Sequence, residues 1–258
     1  MTASYATRRP FPGRVGLPDA ELPTGPPDRS LWRELAGAKQ IPRLLHRFPR
    51  LAFMPRGHGR PVIDVPGWRA PEASMAPLRQ YLRFLGYDAR GWGLGTHHGY
   101  PERDAARLVP LVTRAAEQAG QPISLVGWSL GGVIVREVAR HAPDVVSQVI
   151  VFGSPLIGGP LYTGSAGSVT SERQQQILDH IAAVEAATPQ TIPITVIYSR
   201  RDAVVNWRAA LDRTSLDASH IEVASTHLTL GVDPDVWEIV ARRLAGERVA
   251  AAPGRYAA

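Results

Sequence analysis

ISLVGWSLGGVIVREVARH, residues 123–141, leaves a short apolar run, turns a tight corner and enters a helical pattern without a linker. Ile123 to Val126 has the length and β-branched composition of a buried strand, and Leu130 to His141 reads as a helix. The corner between them, Gly127-Trp128-Ser129-Leu130-Gly131, fits the pattern G-x-S-x-G. A serine that only capped the helix would not need glycine on both sides. The spacing instead predicts a strained strand-to-helix turn in which any side chain at 127 or 131 would collide with neighbouring backbone, so that the Ser129 hydroxyl is held in a fixed place.

Working outward, short apolar runs alternate with helical patterns from residue 61 onward. Pro61 to Val65, Tyr87 to Trp92, Ile123 to Val126, Val146 to Phe152, Pro193 to Tyr198 and Ile221 to Ala224 read as strands. Ala73 to Leu85, Asp104 to Ala119, Leu130 to His141 and Asp235 to Leu244 read as helices. That alternation predicts an α/β fold, a mostly parallel sheet flanked by helices. The segment 153–190 breaks it with a Gly/Ser/Thr-rich loop and one helix over about 171–186, and reads as a short cap between the fourth and fifth predicted strands. One domain over 31–249 is expected, between a Pro-rich flexible tail at 1–30 and a second tail at 250–258.

The 258 residues include no cysteine, which excludes a disulfide scaffold, a zinc-thiolate site and a cysteine nucleophile. The net charge of +6 comes almost entirely from arginine, since Lys39 is the only lysine. No basic block interleaved with aromatics tracks a phosphate backbone, so nucleic acid is not an expected partner. The densest basic region, Arg33 to Arg56, sets Arg33, Lys39, Arg43, Arg47, Arg50 and Arg56 against the single acid Glu34, with Leu31, Trp32, Leu35, Ile41, Leu44, Leu45 and Phe48 interleaved. Over 31–56 that pattern reads first as a helix that packs its apolar side on the domain, and it could also suit peripheral contact with an anionic membrane. No apolar run reaches the 18 or so residues of a membrane span. Pro10, Pro12 and Pro18 fall where a signal peptide would carry its apolar core, so the chain reads as unexported and cytoplasmic.

A serine hydroxyl needs a base. Of the eight histidines, His227 in STHLTLG directly follows the last predicted strand, on the same carboxyl edge as Ser129. His220 precedes that strand, His141 ends a helix, His180 lies in the cap, and His46 and His58 belong to the basic region. His97 and His98, in GLGTHHG, follow another strand and could line the pocket, but read first as solvated loop residues. The histidine in turn needs a carboxylate to fix its tautomer. Asp202, just past the strand ending at Tyr198, is better placed than Asp212 or Asp217. The chain order Ser129, Asp202, His227 is the one this architecture requires. For a developing oxyanion, Leu130 offers its backbone N–H at the helix start, and the VPGW loop would bring round that of Trp68. Trp92, Trp128 and Leu156 are expected near the substrate, and no metal or organic cofactor is implied.

With DVPGW, GWSLGG, RRDAVV and STHL in this order, the chain from about Gly59 to Leu244 resembles the α/β-hydrolase family, in particular its bacterial lipase- and esterase-like members. LRQYLRFLGYDARGWGLG is similar to the stretch after the oxyanion loop in such proteins. Pro66-Gly67 stands where many relatives have His-Gly, and the cap is shorter than a large lipase lid. The resemblance implies a serine hydrolase of carboxylic esters in lipid metabolism, with a hydrophobic acyl group and an acyl-enzyme. An acyltransferase or thioesterase would use the same three residues, and a non-catalytic binding protein could share the fold.

Overall fold

The computed structural model describes residues 13–23, 25, 27, 34, 36–163, 170–247 and 249. The tail segments 1–12 and 250–258, and Leu31, Trp32, Arg33 and Leu35 of the basic region, lie outside the described residues. Seven strands form one sheet, β1 (Gly13–Val15), β2 (Pro61–Val65), β3 (Asp88–Gly91), β4 (Ile123–Trp128), β5 (Val146–Phe152), β6 (Ile194–Tyr198) and β7 (Asp217–Glu222). Their spatial order is β1-β7-β6-β5-β4-β2-β3, and every pairing is parallel.

The helices are α1 (Gln40–Leu51), α2 (Ala76–Phe84), α3 (Pro101–Ala119), α4 (Leu130–His141), α5 (Ser171–Ala187) and α6 (Pro234–Leu244). The central strands are apolar on both faces because both faces are covered. Val126, Ile150 and Ile197 pack with Leu78, Leu82, Trp237 and Val240 of α2 and α6. Their neighbours Leu125, Val149, Val151 and Val196 pack with Leu108, Val112, Ile134 and Val138 of α3 and α4. Among the described residues no helix is long and apolar enough to cross a membrane.

Three expectations change. Residues 13–15 are not tail but an edge strand: Gly13, Arg14 and Val15 pair with Asp217, Ala218 and Ser219. Leu17 and Ala20 then pack beside Tyr198 and Leu211. Three residues without apolar alternation carry no local strand signal; the pairing is supplied by the open edge of β7. That strand starts at Asp217 rather than Ile221, so His220 lies within it. The third change is α1, which packs its basic side inward. Arg43 and Arg47 bind Asp235, while Arg47 and Arg50 bind Glu238 at 2.8 and 3.1 Å. Leu44 and Leu51 join the core, but Ile41, Leu45 and Phe48 face outward.

A buried ion pair braces the loop that follows β2. Arg79 of α2 donates to both carboxylate oxygens of Asp64, at 2.7 and 2.6 Å, and to the Glu72 carbonyl at 3.0 Å. This ties the end of β2 to the far side of its own loop. Removing one partner leaves the other charge buried and unpaired. Arg79→Met is therefore expected to lower the unfolding free energy by about 3–5 kcal/mol, read from urea melts, and Asp64→Leu/Arg79→Met to recover most of that loss. Equal stability of Arg79→Met and wild type would deny the pair this role.

Candidate active site

Ser129 sits at φ +54° and ψ −128°, a backbone conformation that side-chain-bearing residues rarely adopt. Its surroundings enforce it. A Cβ on Gly127 would come within 2.5 Å of the Gly132 Cα, and one on Gly131 within 2.4 Å of the Val65 and Pro66 carbonyl oxygens. The flanking glycines are thus needed for space. The Ser129 N–H donates to the Phe152 carbonyl at 2.9 Å, fixing the corner to β5.

Because the sheet is parallel, the loops after β4, β5, β6 and β7 all emerge on one edge. Asp202 follows β6; its Oδ1 accepts the N–H groups of Val204 and Val205 at 2.8 and 2.7 Å, which locks the carboxylate in place. His227 opens the 3₁₀ turn His227–Val232 after β7. Its Nδ1 lies 2.7 Å from Asp202 Oδ2 and its Nε2 lies 3.0 Å from Ser129 Oγ. With Nδ1–H donating to the carboxylate, Nε2 is left to accept the serine hydroxyl. Burial disfavours a charged imidazole here, yet the Asp202 carboxylate and then Glu34 outweigh it, and the His227 pKa is raised above its ordinary value of 6.5.

Glu34 is the contributor that sequence reasoning missed. Its buried carboxylate accepts N–H groups from Ala203 at 3.2 Å, His227 at 3.3 Å and Leu228 at 3.0 Å, so it joins the acid loop to the histidine loop. The signal was present, since Glu34 is the only acid between Asp28 and Asp64. Gly153, after β5, was missed too. It has φ +56°, and a Cβ there would stand 2.6 Å from Leu230 Cδ1, 3.2 Å from His227 Nδ1 and 3.3 Å from Asp202 Oδ2.

The Pro66-Gly67-Trp68 loop passes directly over the serine: a Cβ added at Gly67 would stand only 3.1 Å from the Ser129 Cβ. His97 clamps this loop through its backbone: its carbonyl accepts the Arg69 N–H at 2.8 Å and its N–H donates to the Ala70 carbonyl at 3.2 Å. His97 is therefore not a solvated loop residue. Its ring is fully buried, edge-on to Trp92, and burial lowers its pKa against the pull of Asp104. His98 is exposed and lines the cavity.

That cavity, about 490 Å³, is bounded by Gly67, Trp68, Trp128, Ser129, Leu130 and His227 among others. The Trp128 ring lies 6.1 Å from that of His227. Leu156 lines instead an adjoining hollow of about 620 Å³ beneath α5, which shares Leu130 and Pro155 with the first. Trp92 lines neither; it is buried against the α3 side of the sheet, with its indole N–H on the Gly95 carbonyl at 2.8 Å. Asp212 is committed elsewhere, to Arg136 at 3.0 Å and the Ser215 hydroxyl at 2.6 Å. Asp217 begins β7 at the opposite edge.

Comparison with known proteins places this geometry. Over 146 residues the chain is 34% identical to the AB hydrolase superfamily protein YisY of Bacillus subtilis (strain 168), a match spanning 53% of this chain and only about half, 52%, of that relative's length. It is 26% identical over 194 residues to the pimeloyl-[acyl-carrier protein] methyl ester esterase of Aliivibrio salmonicida (strain LFI1238), covering 73% of this chain and 71% of the other. The crystal structure of a mature Bacillus licheniformis lipase superposes with a TM-score of 0.53 at 16% identity, over 74% of this chain and 94% of that one, which is a likeness of fold. The profile of the Alpha/beta hydrolase family matches residues 57–255, well over half of the sequence, and with the parallel sheet and its glycine-flanked serine corner it establishes that this chain belongs to the alpha/beta hydrolase family.

Proposed function

We propose that the chain hydrolyses carboxylic esters through Ser129, His227 and Asp202. The observation that carries this reading is the continuous relay from Asp202 Oδ2 through His227 to Ser129 Oγ, at 2.7 and 3.0 Å, ending on a serine held in a strained corner. A buried relay of this kind has no structural use that simpler packing would not serve. Relatives named as esterases support the ester class.

Ser129 Oγ attacks the ester carbonyl carbon as its proton passes to His227 Nε2, and the carbonyl π electrons move to oxygen. The N–H groups of Leu130, at the start of α4, and Trp68, after Gly67, stabilise that oxyanion. Its collapse expels the alkoxide, which takes the proton from His227, and leaves the acyl group on Ser129. Water, deprotonated by His227, attacks the acyl-enzyme; the carboxylic acid departs and Ser129 regains its proton. Asp202 keeps Nδ1 protonated and stabilises the transient imidazolium. The scheme uses only the chain's own groups and water.

The tryptophan, leucine and valine lining favours a hydrophobic acyl group, and the adjoining hollow beneath α5, which shares Leu130 and Pro155 with the cavity, would offer room for its far end. An acyltransferase or thioesterase would share every step up to the acyl-enzyme and differ in what donor it accepts or what receives the acyl group.

Wild type is expected to cleave p-nitrophenyl esters, and a Ser129→Ala variant with unchanged circular dichroism to lose at least about 10⁴-fold in kcat. Equal rates for the two proteins would sink the assignment of the nucleophile, and release of an acylated alcohol rather than acid in the presence of an alcohol acceptor would favour the transferase. A second expectation concerns pH. The base must be neutral to accept a proton, so kcat/KM should rise with pH through a midpoint above the ordinary histidine value, as the raised His227 pKa requires. Glu34→Gln removes one anion that favours the imidazolium, so its rising limb should move to lower pH; an unmoved limb would show that Glu34 has no electrostatic hold on His227.

A further inference from the structure

Helix α1 is turned inside out relative to an ordinary surface helix. Its arginines spend their charge inward: Arg43, Arg47 and Arg50 are bound to Asp233, Asp235 and Glu238, acids whose side chains are buried at the start of α6. Its apolar residues Ile41, Leu45 and Phe48 recur at i, i+4 and i+7 and so form one stripe. Ile41 is 56% exposed and Leu45 72%. The stripe continues onto α2, where the exposed Phe84 ring lies 5.9 Å from that of Phe48. Phe53, 88% exposed, stands on the turn that follows α1. Five of the twelve large hydrophobic side chains left exposed among the described residues therefore belong to this short stretch of the fold. Such clustering marks a binding surface, whereas isolated exposed apolar residues do not.

We propose that this face of α1 and the end of α2 docks on an anionic lipid bilayer, with α1 lying in the plane of the headgroups. The occupant is chosen by charge. Residues 35–63 and 73–87, which include α1 and α2 entire, contain no aspartate or glutamate. Beside the stripe, Arg56 sits 5.4 Å over the Phe84 ring and donates to the Phe84 carbonyl, while Arg83 donates to the Ala89 carbonyl. Each is hydrogen-bonded to a main-chain oxygen; Arg83 also acts on the buried Asp64 carboxylate, whereas the charge of Arg56 is left for a partner. Anionic headgroups beside buried acyl chains supply both complements. A second copy laid on the same face would bring these arginines against their own equivalents, with no acid on either helix to offset them. Of the arginines in this basic region, Arg43, Arg47 and Arg50 therefore turn inward, and Arg56 with the apolar stripe meets the membrane.

The proposal is independent of the ester chemistry, and its readout is vesicle binding. The full chain is mixed with vesicles of phosphatidylcholine alone or of phosphatidylcholine with phosphatidylglycerol, and bound protein is measured by flotation. Wild type is expected on the anionic vesicles, less so at high salt. Ile41→Gln/Leu45→Glu, at exposed positions, is expected to weaken binding at least about tenfold while leaving the circular dichroism and the hydrolysis of a soluble p-nitrophenyl ester unchanged. Arg56→Gln should weaken binding to anionic vesicles with no effect on neutral ones. Failure of wild type to bind either vesicle, or binding that Ile41→Gln/Leu45→Glu leaves intact, would overturn the proposal. So would light scattering that shows a wild-type dimer converted to monomer by Ile41→Gln/Leu45→Glu, since the face would then belong to a second copy.

Discussion

The close approach of α4 to the end of β2 governs the site. Gly131 lets the helix start press against the Val65 and Pro66 carbonyls, and Gly127 lets the strand end pass Gly132. With both contacts made, Ser129 has no relaxed conformation available and is held at positive φ. A strain of this kind costs about 1–3 kcal/mol and persists only because its surroundings over-determine it. Here the surroundings are the four central strands and the helices on both their faces. The Arg79–Asp64 pair secures the other side of the same junction by fixing the end of β2 and the loop beyond it.

Parallel pairing then brings the remaining groups to the serine. The adjacent strands β4, β5, β6 and β7 deliver Ser129, Gly153, Asp202 and His227 to one edge, in spatial order. Gly153 contributes by absence, leaving the space in which the histidine and the carboxylate meet. The loops that carry them have little secondary structure of their own, and their positions come from hydrogen bonds to buried carboxylates. Asp202 holds the N–H groups of its own turn, and Glu34 spans from the Asp202 loop to the His227 loop. Glu34 therefore has two effects on the same residue, one on the position of His227 and one on its proton affinity.

Arginine chemistry explains how a chain of net charge +6 stays ordered. Much of the guanidinium charge is internal. Beneath the cap, Arg136 binds Asp212 and Glu185, and Arg140 binds Glu137 and Glu185. Burial alone would lower the Arg136 pKa, but Asp212 and Glu185 hold it above the ordinary value; burial would likewise raise the two carboxyl groups, but the arginine and their hydrogen bonds hold both below theirs. The planar fork of arginine can satisfy two acids at once, which a lysine could not do at the same site. These networks anchor α5 over the second hollow and α1 over α6, and the arginines within them are committed to the fold.

Ser129, Asp202 and His227 were legible in the sequence because each is attached to a local pattern: a β-branched run of strand length followed at once by a polar turn. The strand ends fix the edge of the sheet, and a parallel sheet has one carboxyl edge. Leu130 and Trp128 followed from their place beside the serine. What the tertiary structure alone decided has no such local mark. Glu34 lies 193 residues from the His227 N–H that it accepts, and the Val15 pairing depends on an edge left open by β7. His97 turns inward where its backbone pairs with the loop after β2, and Trp92 packs edge-on to its ring. The direction in which α1 faces depends on acids in α6, almost 190 residues further on. An amphipathic pattern states that a helix has two faces; which one is buried depends on the chemistry of the surface it meets.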